Sequence, residues 1–198
     1  MKVFYWLFLC ISFLLFSCNS KDSRNTKKSI IDEKVTNSTF DFSKEMSEIK
    51  TNFKRINSIK NWTVIDSVEL YETTEGGQAK FYFANKQLQK VEAIYYGETG
   101  KAIIEYYLMD SKLSFVYRKE YKYNSPIYSN EFIDNEKFDL SKSEISETKN
   151  YFYKDVLFEQ IKSSGELQEV LNVGLIKQQV SIKSDFNQLK QLSLIRQI

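Results

Sequence analysis

The first apolar stretch, residues 3–16, is interrupted only by Ser12 and follows a short basic start, Met1-Lys2. A helix over that run rises about 21 Å, short of the roughly 30 Å of a hydrocarbon core. It has the form of an export leader rather than of a spanning helix. Residues 19–38 are polar apart from Ile30, Ile31 and Val35; as a flexible tether they would span about 25 Å. Helical spacing then begins. Ser43 is placed to cap a helix whose stripe is Met46, Ile49, Phe53, Ile56 and Ile59. Lys44, Glu48, Lys50, Lys54 and Lys60 fall on its other faces.

From residue 63 to 124 the period changes to two. Aromatic and β-branched runs are punctuated by Glu75-Gly76-Gly77, Asn85-Lys86, Gly97-Glu98-Thr99-Gly100 and Asp110-Ser111. These turns recur about every ten to thirteen residues, the rhythm of consecutive antiparallel hairpins. Leu113, Phe115, Tyr117, Tyr121 and Tyr123 alternate with Lys112, Ser114, Arg118, Glu120 and Lys122, and Ala79, Phe81 and Phe83 with Lys80 and Tyr82. That alternation predicts a sheet with one wet face. Tyr95-Tyr96 and Tyr106-Tyr107 put one ring on each side, so the wet face also carries aromatics. Pro126 falls in the loop after the fifth strand, where a missing N–H costs little.

A polar loop over 129–143 precedes a second strand pair at 145–153 and 156–161. Leu167, Val170, Leu171 and Leu175 fit a helix that Gly174 interrupts, and Ser184 is placed to cap a last helix bearing Phe186, Leu189 and Leu192. No internal repeat of solenoid type stands out beyond the hairpins. The expectation is an α+β fold: an antiparallel β-meander of about seven strands, an N-terminal helix and a C-terminal helical tail.

The end of the first apolar run is more specific than its length. Leu15-Phe16-Ser17-Cys18 resembles the lipobox of bacterial lipoproteins, which places Leu three residues before the cysteine and a small residue next to it. Cys10, preceded by Leu9, does not fit. The resemblance implies cleavage between Ser17 and Cys18 and a lipid thioether on Cys18. The chain then divides into a signal peptide (1–17), a flexible tether (18–39) and one α+β domain (40–198). The expected partner is the membrane, through this N-terminal anchor. Asn19, rather than an aspartate, follows the cysteine, which favours the outer membrane, on its periplasmic face or at the cell surface. Glu75–Gly77, Tyr96–Lys101, Glu105–Tyr107 and Leu113–Val116 resemble uncharacterised lipoproteins of the Bacteroidetes, and no activity travels with that likeness.

Composition narrows the chemistry further. There is no histidine, and the cysteines are Cys10 and Cys18 alone. Cys/His zinc sites, Ser-His-Asp and Cys-His catalysis and an internal disulfide of the mature chain are therefore not expected. No cofactor is expected either. A formal charge of +2, spread along the chain, carries no footprint for nucleic acid. The 15 Phe and 13 Tyr can supply the core that a disulfide-free domain needs.

Gly97-Glu98-Thr99-Gly100 superficially fits a phosphate-clamping loop, but it lies between strand-like runs and Glu98 would repel phosphate, so a hairpin turn is the better reading. Glu92, Glu105 and Glu120 fall on successive strands and could share a face for carboxylate-dependent hydrolysis. Lys90, Arg118 and Lys122 lie near them, and cross-strand ion pairs explain the same residues more simply. Tyr71, Tyr82, Tyr96 and Tyr107 could form a ring-lined binding surface for protein, glycan or lipid, or serve as core under the helices. Asn37-Ser38-Thr39 and Asn61-Trp62-Thr63 are sequons by pattern, and Asp66-Ser67-Val68 resembles an O-glycosylation site of Bacteroidetes envelope proteins. The expected function is a non-enzymatic, lipid-anchored envelope module. The alternatives are a small-ligand or lipid carrier, or a carboxylate-dependent hydrolase.

Overall fold

The computed structural model describes residues 41–128, 137–163, 167–169 and 173–195. Helix α1 (Ser43–Asn57) leads into β1 (Val64–Leu70), β2 (Gly77–Ala84), β3 (Gln87–Gly97), β4 (Gly100–Met109) and β5 (Lys112–Lys122). A 3₁₀ turn at Leu140–Lys142 precedes β6 (Glu144–Tyr153), β7 (Val156–Lys162), β8 (Leu167–Glu169) and α2 (Val173–Ile195). The eight strands form one sheet in chain order, and each neighbouring pair is antiparallel. Hairpins joined by short turns leave no reason for a crossover.

The α+β meander is as the hydrophobic pattern predicts, and its ends differ from the expectation. The segment from Leu167 opens with a strand, because the free edge of β7 takes three more residues in the register Glu159↔Glu169 to Ile161↔Leu167. One helix then replaces two. Gly174 sits in its first turn and not in the helix interior, the place where glycine's backbone entropy costs about 1 kcal/mol against alanine, and Ser184 lies in its middle. At α1 the capping acceptor is Asp41 rather than Ser43: Asp41 Oδ1 accepts the Ser43 backbone N–H at 2.9 Å and the Ser43 hydroxyl. These bonds hold the Asp41 carboxyl below its usual range.

Three hairpins share one design. Asn85-Lys86, Asp110-Ser111 and Lys154-Asp155 all have positive φ, from 49° to 68°, the signature of the type I′ turn whose twist matches the strands. In each hairpin the register then slips by one residue on the returning strand. Phe83 pairs with Leu88 and Tyr82 with Lys90, leaving Gln89 as the bulge. Ser114 and Phe158 hold the same place in β5 and β7. The segments align as Tyr82-Phe83-x-Asn85-Lys86-x-Leu88, Tyr107-Leu108-x-Asp110-Ser111-x-Leu113 and Tyr151-Phe152-x-Lys154-Asp155-x-Leu157. The meander thus contains an internal repeat that plain periodicity does not reveal. At the opposite end of the sheet, Gly76 has φ +68°, and a Cβ on Gly77 would run into the Ile94 carbonyl.

The bulges also change which side chains share a face. Leu113 and Phe115, two apart in sequence, lie in different cores because Ser114 is inserted between their registers. Under α1, Ile49 and Ile56 pack on Tyr107, Phe115, Tyr151 and Phe158. Under α2, Leu175, Phe186 and Leu189 pack on Phe81, Val91, Tyr106, Leu113 and Val116, among others. Each such side chain, fully buried, contributes about 1.5–3 kcal/mol. Both faces of the sheet therefore carry a helix, so the face expected to be wet is covered by α1 at one end only, and Ser114 and Val116 are buried.

Candidate binding face

Register orders the α1 side of the sheet into rows. The first runs Ile65, Tyr82, Lys90, Tyr107, Phe115, Tyr151; the second Ser67, Lys80, Glu92, Glu105, Tyr117, Lys149. The third runs Glu69, Gln78, Ile94, Ile103, Lys119, Glu147, and the fourth Tyr96, Lys101, Tyr121, Ile145. Helix α1 packs on β4, β5 and β6 and covers that end of the first row, where the rings of Phe53 and Tyr107 lie 4.9 Å apart. Among the described residues, no element packs on the third and fourth rows.

The second row holds two acids directly opposite one another, an arrangement that destabilises unless a cation intervenes. Lys90 supplies it from the first row. Its ammonium pairs with Glu105 and lies 3.5 Å from Glu92 Oε2, and it sits 5.6 Å and 5.3 Å from the ring centres of Tyr82 and Tyr107. Tyr107 donates its hydroxyl to Glu105 Oε2 at 3.0 Å. Burial, then the charge of Glu105, pushes the Tyr107 phenol up; burial, then Glu92, does the same to Tyr82. Beyond this cluster Tyr117 hydrogen-bonds Glu147, and burial and that bond raise its phenol. Lys119 lies 3.7 Å from Glu147. Lys101 and Lys119 approach the Tyr121 ring to 4.7 Å and 5.3 Å.

The three acids of interest are not brought together. Glu92 and Glu105 are cross-strand neighbours, whereas Glu120 points to the α2 side, where Arg118 donates to it at 2.7 Å. Lys122 pairs with Glu144 at 3.2 Å.

The four tyrosines also separate. Tyr107 is core, 1% exposed, because α1 lies over it, and half-buried Tyr82 lies against Trp62, their rings tilted by 58° with centres 5.2 Å apart. Tyr71 and Tyr96 are exposed, at 86% and 42%, and line a cavity of about 480 Å3 beside the β1–β2 loop with Glu69 and Glu75. Lys101, Tyr117, Tyr121 and Ile145 share the face of Tyr96 by register. The Gly97–Gly100 turn signals set only the place of Lys101 opposite Tyr96. Tyr117, Tyr121 and Ile145 depend on the bulge in the β4–β5 hairpin and on the β5–β6 pairing, which no local signal marks.

The Gly97–Gly100 segment is a hairpin turn, with the Glu98 and Thr99 carbonyls accepting from Ile127 and Tyr123. In the second sequon, the Thr63 hydroxyl accepts from the Asn85 N–H at 3.2 Å. Ser67 is exposed, and its N–H donates to the side chain of Asp66 at 2.8 Å. Ser17, Cys18, the tether and the first sequon lie outside the described residues.

No family model, no curated protein and no solved structure matches the chain. Among the described residues no helix is long and apolar enough to cross a membrane. Nor do those residues contain a group of three or more acidic or Cys side chains placed to hold a metal ion.

Proposed function

We propose that the chain is a lipid-anchored protein of the cell envelope, held at the outer membrane by Cys18, whose folded part is a non-enzymatic module that binds another envelope protein. Leu15, Ser17 and Cys18 support the anchor. Residues 1–17 would be removed and 18–39 would act as a tether. Each acyl chain adds about 0.8 kcal/mol per buried methylene, and the anchor raises the module's effective concentration for neighbours on the same surface.

The observation that carries the binding reading is the half of the α1 face that no described element covers, with Tyr96, Lys101, Tyr121 and Ile145 in one row. Rings with polar tips, an exposed aliphatic side chain and charges of both signs suit a protein surface. A polyanion would ask for cations alone. The hydrolase reading is weaker, because one Glu105 oxygen is held by Lys90 and the other by Tyr107.

Photo-crosslinking residues at Tyr96 and Tyr121, with Asn187 on α2 as control, test the reading in the native host. One reproducible protein adduct from both sheet positions, absent from the control and lost with Cys18→Ser, is expected. Equal labelling from all three positions, or none, contradicts it.

A further inference from the structure

Between α2 and strands β4–β7 lies a cavity of about 250 Å3. Its walls are unlike the rest of that helix–sheet seam. On β1–β4 the sheet under α2 is apolar, with Leu70, Ala79, Phe81 and Val91 buried there. On β5–β7 the same face presents Arg118, Thr148, Asn150, Gln160 and Lys162. The helix answers with Gln178, Ser181 and Asp185, spaced three and four apart and so on one side of it.

The amides at the floor are firmly built. Asn150 and Gln160 are only 2% and 3% exposed. Gln160 donates to Asn150 at 2.6 Å, and Asn150 donates to the Val116 carbonyl at 3.2 Å. Burying such groups beside a helix costs stability unless polar partners fill the space. Apolar cavities stay dry, whereas polar ones hold water or ligand.

The charges on the walls are only partly paired. Arg118 and Asp185 both line the cavity and attract one another. The contact Arg118 makes is with Glu120 at 2.7 Å, and no ion pair joins it to Asp185 among the described residues. Two cations (Arg118, Lys162) and two acids (Glu120, Asp185) thus face a common space, with Arg118 already paired to Glu120 and no ion pair on Lys162 or Asp185 among the described residues. A volume of about 250 Å3 exceeds that of several waters at about 30 Å3 each and falls below the roughly 300–1,000 Å3 of drug-sized sites.

We propose that this cavity binds a small zwitterion of amino-acid size, its ammonium group against Asp185 and its carboxylate against Arg118 and Lys162, over the Asn150–Gln160 floor. The site is on the opposite side of the sheet from the proposed protein-binding face and does not depend on the anchor, so either proposal can fail alone.

Calorimetric titration of the full chain with glycine, L-alanine and L-serine tests it, with acetate and methylammonium as single-charge controls. Saturable binding of at least one zwitterion, tighter than either control, is expected. Asp185→Asn and Arg118→Gln should each weaken it by about tenfold or more. Ser181→Leu, at an exposed helix position, should block binding by filling the cavity while leaving cooperative unfolding intact. Absence of saturable binding by all three zwitterions, or binding unchanged in both charge variants, overturns the proposal.

Discussion

Asn52, in the middle of α1, donates its side-chain amide to the backbone carbonyl of Leu108 on β4 at 2.9 Å. The same amide lies 3.4 Å from the hydroxyl of Ser114, the bulge residue of β5, which in turn donates to the Tyr107 carbonyl at 3.0 Å. Arg55 fixes the other end of the Asn52 side chain at 2.8 Å. The bulge disrupts the ladder and leaves polar groups to be satisfied, and α1 docks where it can satisfy them. Truncating Asn52→Ala should therefore destabilise the fold by about 1–3 kcal/mol, read from the midpoint of urea unfolding. Asn52→Asp should cost at least as much, since a carboxylate cannot donate to a carbonyl.

The turns offer an opposite test. Lys86, Ser111 and Asp155 each hold a left-handed backbone at the second turn position, which costs an L-residue about 1–2 kcal/mol, while glycine adds back part of that through unfolded-state entropy. Lys86→Gly, Ser111→Gly and Asp155→Gly should each stabilise by up to about 1 kcal/mol, and thermal unfolding of the three single variants and the triple variant checks both sign and additivity.

Lys90 holds Glu92 and Glu105 together on neighbouring strands, with side-chain exposures of 12%, 23% and 20%. Such a half-buried cluster lies between surface pairs worth under about 1 kcal/mol and buried ones that cost about 3–5 kcal/mol to break. Lys90→Met should destabilise by about 1–3 kcal/mol. Adding Glu105→Gln should restore part of that loss, and a double-mutant cycle measures the coupling.

Alkali should unfold the domain cooperatively. Burial holds the Tyr95 phenol up at about 12, against an ordinary 10.0, and burial first, then the neighbouring Tyr95, also pushes Tyr106 up. A phenol raised in the folded state contributes stability that is fully present below pH 10 and is lost as pH rises through the folded value. Stability should fall between pH 10 and about 12, with tyrosinate absorbance and far-ultraviolet dichroism changing together. Tyr106→Phe should make that fall shallower.

What could be read from the chain was local. Asn85-Lys86 and Asp110-Ser111 announce turns by composition, and the alternating runs between them announce strands, so the meander follows. The bulge at Ser114 carries no such mark, because a serine among alternating residues looks like an outward position. Without it Leu113 and Phe115 fall on one face, and the two-sided core is lost. Leu167 pairs with an edge that exists only once β7 is in place, a tertiary contact overriding helical spacing. The tyrosines divided for the same reason: Tyr96 and Tyr107 share a side of the sheet, and only the placement of α1 over one end of it buries Tyr107 and leaves Tyr96 open.

Intact-mass analysis of the protein purified from its own host measures the proposed anchor most directly. A chain that starts at Cys18 and carries a diacylglycerol thioether with further acylation is the expected species. A free thiol at Cys18, or a chain that retains residues 1–17, would contradict the assignment to the envelope surface and the tethered role built on it.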